Sequence, residues 1–175
     1  MIAVRALGEG DWQLLRQARL RSLSDAPLQF GTTEAEARAA PDAEWQALVA
    51  AGSRDDRLIV IASDGEEPVG LAVVERDLGV RRRHRARIWG VWVQREVRGR
   101  GVGRRLMAAL LDWAGERGVV AVYLDVVAGN DPARSLYERL GFVRRDLDPY
   151  SLRIEGEFVA QEKLVLVLRP VRLGE

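Results

Sequence analysis

Six consecutive residues, Arg98-Gly99-Arg100-Gly101-Val102-Gly103, join an apolar run to a strongly periodic one, and their types suit the cradling of a diphosphate. Upstream, Ile88-Trp89-Gly90-Val91-Trp92-Val93 is β-branched and aromatic, the composition of a buried strand. Downstream, Val102, Leu106 and Leu110 recur at helical spacing beside Gly103, Met107 and Leu111 until Gly118 offers a stop. A strand therefore becomes a helix across the glycines. The first turn of a helix leaves backbone N–H groups unpaired at the positive end of the macrodipole, which attracts phosphate. Gly101 and Gly103 carry no Cβ to hold phosphate oxygens away from those amides, and Arg98, Arg100, Arg104 and Arg105 add positive charge. Taken alone, the run reads equally as an ordinary turn before a helix. The nucleotide P-loop is excluded because no Gly-Lys-Ser/Thr follows, and G-x-G-x-x-G is not met either.

A second group of chemically able residues lies further on. Val119 to Val127 is a nearly continuous apolar run, typical of a central strand, with Asp125 inside it. Asn130-Asp131-Pro132 then opens a helix, Asp131 suiting the N-cap and Pro132 the first helical position. Leu136-Tyr137-Glu138-Arg139-Leu140-Gly141-Phe142 closes it, with Gly141 as the left-handed terminator. A phenol such as that of Tyr137 has an ordinary pKa of about 10, so it is protonated at neutral pH and can act as an acid. Its position on the helix fits a core aromatic as well.

Together these blocks resemble the GCN5-related N-acetyltransferase (GNAT) family. Arg98, Gly101 and Gly103 match its Arg/Gln-x-x-Gly-x-Gly/Ala signature, and Asn130, Leu136, Tyr137, Leu140, Gly141 and Phe142 match its second block. The resemblance is firm from Val91 to Phe142 and architectural elsewhere. It implies acetyl-CoA as acyl donor, with its diphosphate on Arg98, Gly99, Arg100, Gly101, Val102, Gly103 and Arg104 and its pantetheine arm along the backbone of Val91, Trp92 and Val93. That strand would bulge and splay from its neighbour; Gly90 fits such a break, or equally tight packing beside a tryptophan. Asn130 would orient the cofactor and Tyr137 would protonate the leaving sulfur. Asp125 sits where family members that acetylate protein N-termini carry a basic glutamate; the shorter side chain calls for a bridging water. Glu75, Asp77 and Glu96 are alternative bases, and each carboxylate reads also as a solvated or ion-paired surface group. The implied reaction is direct attack by a primary amine of a small molecule, peptide N-terminus or lysine, with no covalent intermediate. Family members often pair through their later strands, so a homodimer is possible.

Composition bounds the rest. With 175 residues the chain suits a single domain, 1–175, and its 27 basic and 26 acidic side chains leave a net charge of +1. No whole-chain attraction to nucleic acid or an acidic membrane follows. Arg81-Arg82-Arg83-His84-Arg85-Ala86-Arg87 is the one concentrated charge run, expected in a solvated connection between antiparallel strands, with an acidic partner or a nucleic-acid phosphate as the sharper alternative. Absence of cysteine excludes disulfides and thiolate chemistry, and His84 as sole histidine excludes a multi-histidine metal site, so no metal is expected. Met1 to Arg5 lacks a signal-peptide profile and no apolar stretch approaches the roughly 20 residues of a membrane span, so a cytoplasmic location with no membrane partner is expected. Two rivals from other classes are a catalytically silent acyl-CoA-binding regulatory module and, against the near-neutral charge, a nucleic-acid-binding protein.

The expected fold is mixed α/β: a mostly antiparallel central sheet with helices on both faces, ordered β-α-α-β-β-β-α-β-α-β-β. Strands are expected at Ile2 to Leu7, Leu58 to Ser63 and Val69 to Glu75, the last two around the turn signal Asp64-Gly65. Helices are expected from Asp11 to Leu23, after the Thr33 and Glu36 capping box, and after a cap at Asp42. Asp25 to Ala40, with Pro27 and Phe30, is the segment expected on the acceptor side. Phe142 to Asp146 and Lys163 to Arg169 form the final strand pair, with Pro149 to Gly156 unassigned.

Overall fold

The computed structural model describes residues 1–52 and 56–170. In chain order it contains β1 (Ile2–Ala6), α1 (Trp12–Asp25), α2 (Glu34–Ala39), α3 (Asp42–Gly52), β2 (Arg57–Asp64), β3 (Glu67–Arg76), β4 (Arg85–Val93), α4 (Val102–Glu116), β5 (Ala121–Val127), α5 (Asp131–Arg139), β6 (Val143–Ile154) and β7 (Glu157–Val167). The strands hydrogen-bond in the order β1-β2-β3-β4-β5-β7-β6. The β4–β5 ladder is parallel, whereas β1–β2, β2–β3, β5–β7 and β6–β7 are antiparallel, which gives the expected mixed sheet. The three helices expected residue by residue between β1 and β2 all form, one more than the two in the family order. Thr33 Oγ1 accepts from the Glu36 N–H while the Glu36 carboxylate accepts from the Thr33 N–H, the reciprocal cap that starts α2. Asp42 is not a cap: it lies in the first turn of α3, where its charge suits the helix dipole and accepts a bond from Arg16.

Contacts group the chain into two compact units, Met1–Glu75 with Ile88–Trp113, and Arg76–Arg87 with Ala114–Glu175. In the first unit, Leu15, Ala18 and Leu23 make an apolar stripe on α1, and Trp45 and Val49 make another on α3. Both stripes pack with Ile59 and Ile61 of β2, Leu71 and Val73 of β3, and Trp92 of β4. The alternate residues Val60, Ala62, Ala72 and Val74 are also buried, so β2 and β3 are covered on both faces and read as unbroken apolar runs. Helix α4 approaches β3 closely at Gly70, where a Cβ would stand 3.0 Å from Leu106 Cδ1, 3.1 Å from Ala62 Cβ and 3.3 Å from the Trp92 carbonyl oxygen. Glycine is required there by space.

In the second unit, β5 pairs with β4 through Arg85–Ala121, Ala86–Val122 and Arg87–Tyr123 among the described residues, and with β7 through seven rungs from Ala121–Val167 to Val127–Gln161. Arg85 to Arg87 thus belong to a strand, which corrects the reading of the whole arginine run as a connection. The reason is backbone pairing: the Arg85 carbonyl accepts from the Asp77 N–H and the His84 carbonyl from the Val120 N–H. The β6–β7 hairpin is longer than expected, because β6 continues through Pro149 to Ile154. Its register shifts between Asp148 and Leu152 accommodate a residue that cannot donate to a ladder. Two glycines end helices as expected. After α4, Gly118 (φ 70°) lets the Gly118 N–H reach Gly115 O and the Val119 N–H reach Ala114 O.

The Gly70 contact sets how closely α4, and with it the loop that opens α4, sits on the sheet. Gly70→Ala should overpack this contact and lower the unfolding free energy by about 1–3 kcal/mol. Urea denaturation measures it, and an unchanged midpoint would show that the approach is not tight.

Candidate functional site

The loop between β4 and α4 is shaped by backbone requirements more than by contacts. Gly99 and Gly101 have φ of 78° and 75°, a region costly for residues with a Cβ, and a Cβ on either would meet nothing within 4 Å. The chain then enters α4, where the Arg105 N–H makes the first helical bond, to Gly101 O, at 3.1 Å. The amides of Val102, Gly103 and Arg104 precede that bond and have no partner within the helix. Val102 is buried and seats the helix start, while Gly99, Arg100 and Gly101 are exposed. Arg100 and Arg104 have no carboxylate partner among the described residues. Arg105 instead donates to the Ile2 carbonyl at 3.0 Å and anchors α4 to β1.

Asp25, at the end of α1, clamps this loop. Its Oδ2 accepts from the Trp92 indole Nε1 at 2.9 Å and from Arg98 Nη2 at 3.1 Å, while Arg98 Nε donates to the Val93 carbonyl at 2.9 Å. Arg98 therefore fastens the loop to the strand that precedes it, and one edge of its guanidinium is occupied by protein. Trp92 presents a buried side chain, so any ligand contact from it is through backbone. Glu96, one of the alternative bases, is exposed; bonds from its own backbone N–H and the Gln94 side chain, with Arg95 and Arg98 nearby, hold it below the usual carboxylate range and make it a weaker base.

Asp125, Asn130 and Tyr137 lie in the second unit. Asp131 does not cap α5; Asn130 does, its Oδ1 accepting from the Ala133 N–H at 3.4 Å, which moves Asp131 and Pro132 into the first turn. Tyr137 occupies the last turn. There the Gly141 N–H bonds Glu138 O at 2.9 Å and the Phe142 N–H bonds Tyr137 O at 3.0 Å, with Gly141 at φ 93°. This termination brings the residue after the glycine back onto the helix, and the Tyr137 and Phe142 rings meet at 6.0 Å between centroids. Burial pushes the Tyr137 phenol up, well above its ordinary value, so it is fully protonated at neutral pH. Its hydroxyl has no hydrogen-bond partner among the described residues.

Asp125 is half-buried on β5, opposite Lys163 of β7, and its Oδ2 accepts from Arg87 Nη2 at 2.7 Å. Of the remaining carboxylates considered as bases, Glu75 is paired with Arg57, and Asp77 accepts from the Gly79 N–H and faces Arg82. In the arginine run, Arg85 stacks over Tyr123 at 4.3 Å and His84 is exposed. Among the described residues no cluster of three His, Cys, Asp or Glu side chains could hold a metal ion, and no helix is long and apolar enough to cross a membrane.

The profile of the Acetyltransferase (GNAT) family matches residues 18–142. The N-alpha-acetyltransferase RimI of Mycobacterium tuberculosis is 40% identical over 95 residues, which cover 54% of this chain and 58% of that protein. The chain spans between 14% and 58% of the length of three curated relatives that it matches. In structure it is similar to an acetyltransferase of the GNAT family from Streptococcus pneumoniae, with TM-score 0.85, 19% identity and coverage of 96% of this chain and 100% of that one. It is similar also to yncA of Salmonella typhimurium, determined with its cofactor acetyl-CoA, with TM-score 0.82, 16% identity and coverage of 100% and 98%.

One contributor escapes sequence reasoning. The Asp25 clamp is unreadable, because its partners are 67 and 73 residues away. Asp25→Ala should leave the Trp92 indole and one Arg98 donor unmet and destabilise the protein by about 2 kcal/mol. Chemical denaturation tests this, and a change below about 0.5 kcal/mol would show that the clamp is dispensable.

Proposed function

This chain belongs to the Acetyltransferase (GNAT) family, and from that premise we propose that it is an N-acetyltransferase, moving an acetyl group from acetyl-CoA to a primary amine by direct attack. One observation carries the proposal: two glycines at positive φ deliver the chain into α4 so that three helix-start amides, flanked by Arg100 and Arg104, which have no carboxylate partner among the described residues, form a cradle suited to a diphosphate. We take residues 1–175 as one acyltransferase domain.

Acetyl-CoA, when bound, supplies an activated thioester whose sulfur departs as a thiolate. The amides of Val102, Gly103 and Arg104 hold the diphosphate, and Gly99 and Gly101 keep side chains out of the way. Arg98 holds the Val93 carbonyl and so fixes the backbone of Val91, Trp92 and Val93 along which the pantetheine arm would run. The three-rung β4–β5 ladder and the positive φ of Gly90 support that strand assignment. Asn130, by capping α5, sets the turn that orients the cofactor. Tyr137 keeps its proton because burial disfavours the phenolate, and it delivers that proton to the departing sulfur.

The amine must lose a proton, and Asp125 is the proposed acceptor through a bridging water. Arg87 occupies its Oδ2 and orients the carboxylate. A carboxylate is a weak base, so this role suits an α-amine of pKa about 7.7–8.0, already partly neutral at pH 7, better than a lysine of about 10.4. The name of the N-alpha-acetyltransferase relative agrees with that acceptor type.

The chain has no cysteine, so CoA thiol released across an amine panel can be followed with a thiol reagent against no protein background. Release with at least one α-amine is expected; tight acetyl-CoA binding with no release from any amine would instead fit a silent binding module. Tyr137→Phe should lower kcat by about 100-fold or more while leaving the acetyl-CoA Kd within about twofold. Unchanged turnover would remove Tyr137 from the proton path.

A further inference from the structure

Arg19 on α1 is a half-buried cation with no counter-ion among the described residues. Its Nη1 is shut off from solvent with no hydrogen-bond partner among the described residues. Its guanidinium carbon lies 4.6 Å from the centre of the Phe30 ring. A ring face partly offsets lost hydration, but it accepts none of the hydrogen bonds that the planar fork can donate. Carboxylates at other positions around α1 are committed: Asp25 to Trp92 and Arg98, Asp42 to Arg16, and Glu67 to Arg21. Arg16, one turn earlier on the same side of α1, likewise has a buried Nε without a partner.

The surroundings of Arg19 point to a ligand. Gly90 of β4 has φ 66°, and a Cβ on it would stand 3.9 Å from Arg19 Nη1 and 3.9 Å from Val73 Cγ2. The unpaired guanidinium therefore sits against the residue that immediately precedes Val91, where the donor strand begins. Burial lowers the Arg19 pKa only to about 10, so the group is charged at neutral pH. A guanidinium nitrogen shut off from water without a partner is unfavourable unless something arrives to pair with it.

We propose that Arg19, with Phe30 and Gly90 beside it, is a subsite for a carboxylate on the acceptor, so that the acceptor is an amino-acid-like amine carrying an anionic group. The fork donates two parallel N–H bonds to the carboxylate oxygens. Phe30 supplies apolar contact for the carbon skeleton, and Gly90 places no side chain against the guanidinium. The proposal rests on the acyl-transfer reading, since it names the acceptor class for that reaction, but the binding it requires is separable from turnover.

The test uses α-amino acids matched with their amides, on the whole chain and on Arg19→Met. In the turnover arm, thiol release should give each acid about a tenfold higher kcat/KM than its amide, and Arg19→Met should bring that ratio to about one. Amides serving as well as acids, or an unchanged ratio in the variant, would overturn the subsite. In the binding arm, at least one acid should raise the Tm of the wild type by several degrees where its amide does not, and the rise should vanish in Arg19→Met. That result without acyl transfer to any amine would keep the subsite and reject the acyl-transfer reading; no rise with any acid would reject the subsite whatever turnover shows. Arg19→Met keeps an unbranched apolar stem and removes a half-buried charge, so its own Tm should equal or exceed that of the wild type; Arg19→Lys, charged but without the fork, should keep only part of the ratio.

Discussion

One carboxylate, Asp25, accepts hydrogen bonds from a tryptophan in β4 and an arginine in the loop that follows it. The arginine in turn holds the last carbonyl of β4, so strand end, loop and α1 are fixed by a single short network. The loop held by that network leads into α4, which lies against β3 at Gly70. The arginine of the motif is thereby committed largely to structure, and the charge left for a ligand comes from Arg100 and Arg104. The glycines act differently from one another. Gly70 is required by space, whereas Gly99 and Gly101 stand in open surroundings and are required by their dihedrals.

In the second unit one helix terminus explains two properties of the candidate acid. The left-handed Gly141 folds Phe142 back onto Tyr137, and the contact helps bury the ring. That burial keeps the phenol protonated. Structure and chemistry are therefore not alternatives at Tyr137: the core packing that would make it a merely structural aromatic also sets its protonation state. The pairing of Asp125 with Arg87 has a similar double character, because the edge of the arginine run that enters β4 supplies the cation.

Local signals in the sequence translate well into structure. The switch from strand to helix near Gly101, the stops at Gly118 and Gly141, and the Thr33 and Glu36 cap each depend on neighbours within a turn or two, and each forms. Boundaries fail where pairing overrides local preference. Arg85 to Arg87 read as solvated charge but are drawn into β4, and Pro149 reads as a break but is absorbed at a register shift of β6. The cap of α5 falls one residue earlier than composition suggests, because an asparagine and an aspartate in adjacent positions serve equally well. The Asp25 clamp and the solitary Arg19 depend on contacts between distant segments, and no local pattern announces them.

In the proposed function, the backbone from Gly101 to Arg104 holds the diphosphate of an acyl-CoA. Titrating acetyl-CoA into 15N-labelled protein and following backbone amide shifts addresses it residue by residue. The amides of Gly101, Val102, Gly103 and Arg104 should move most and saturate together at one equivalent of ligand. Saturable binding that leaves those amides in place, with the largest shifts elsewhere in the chain, would contradict it.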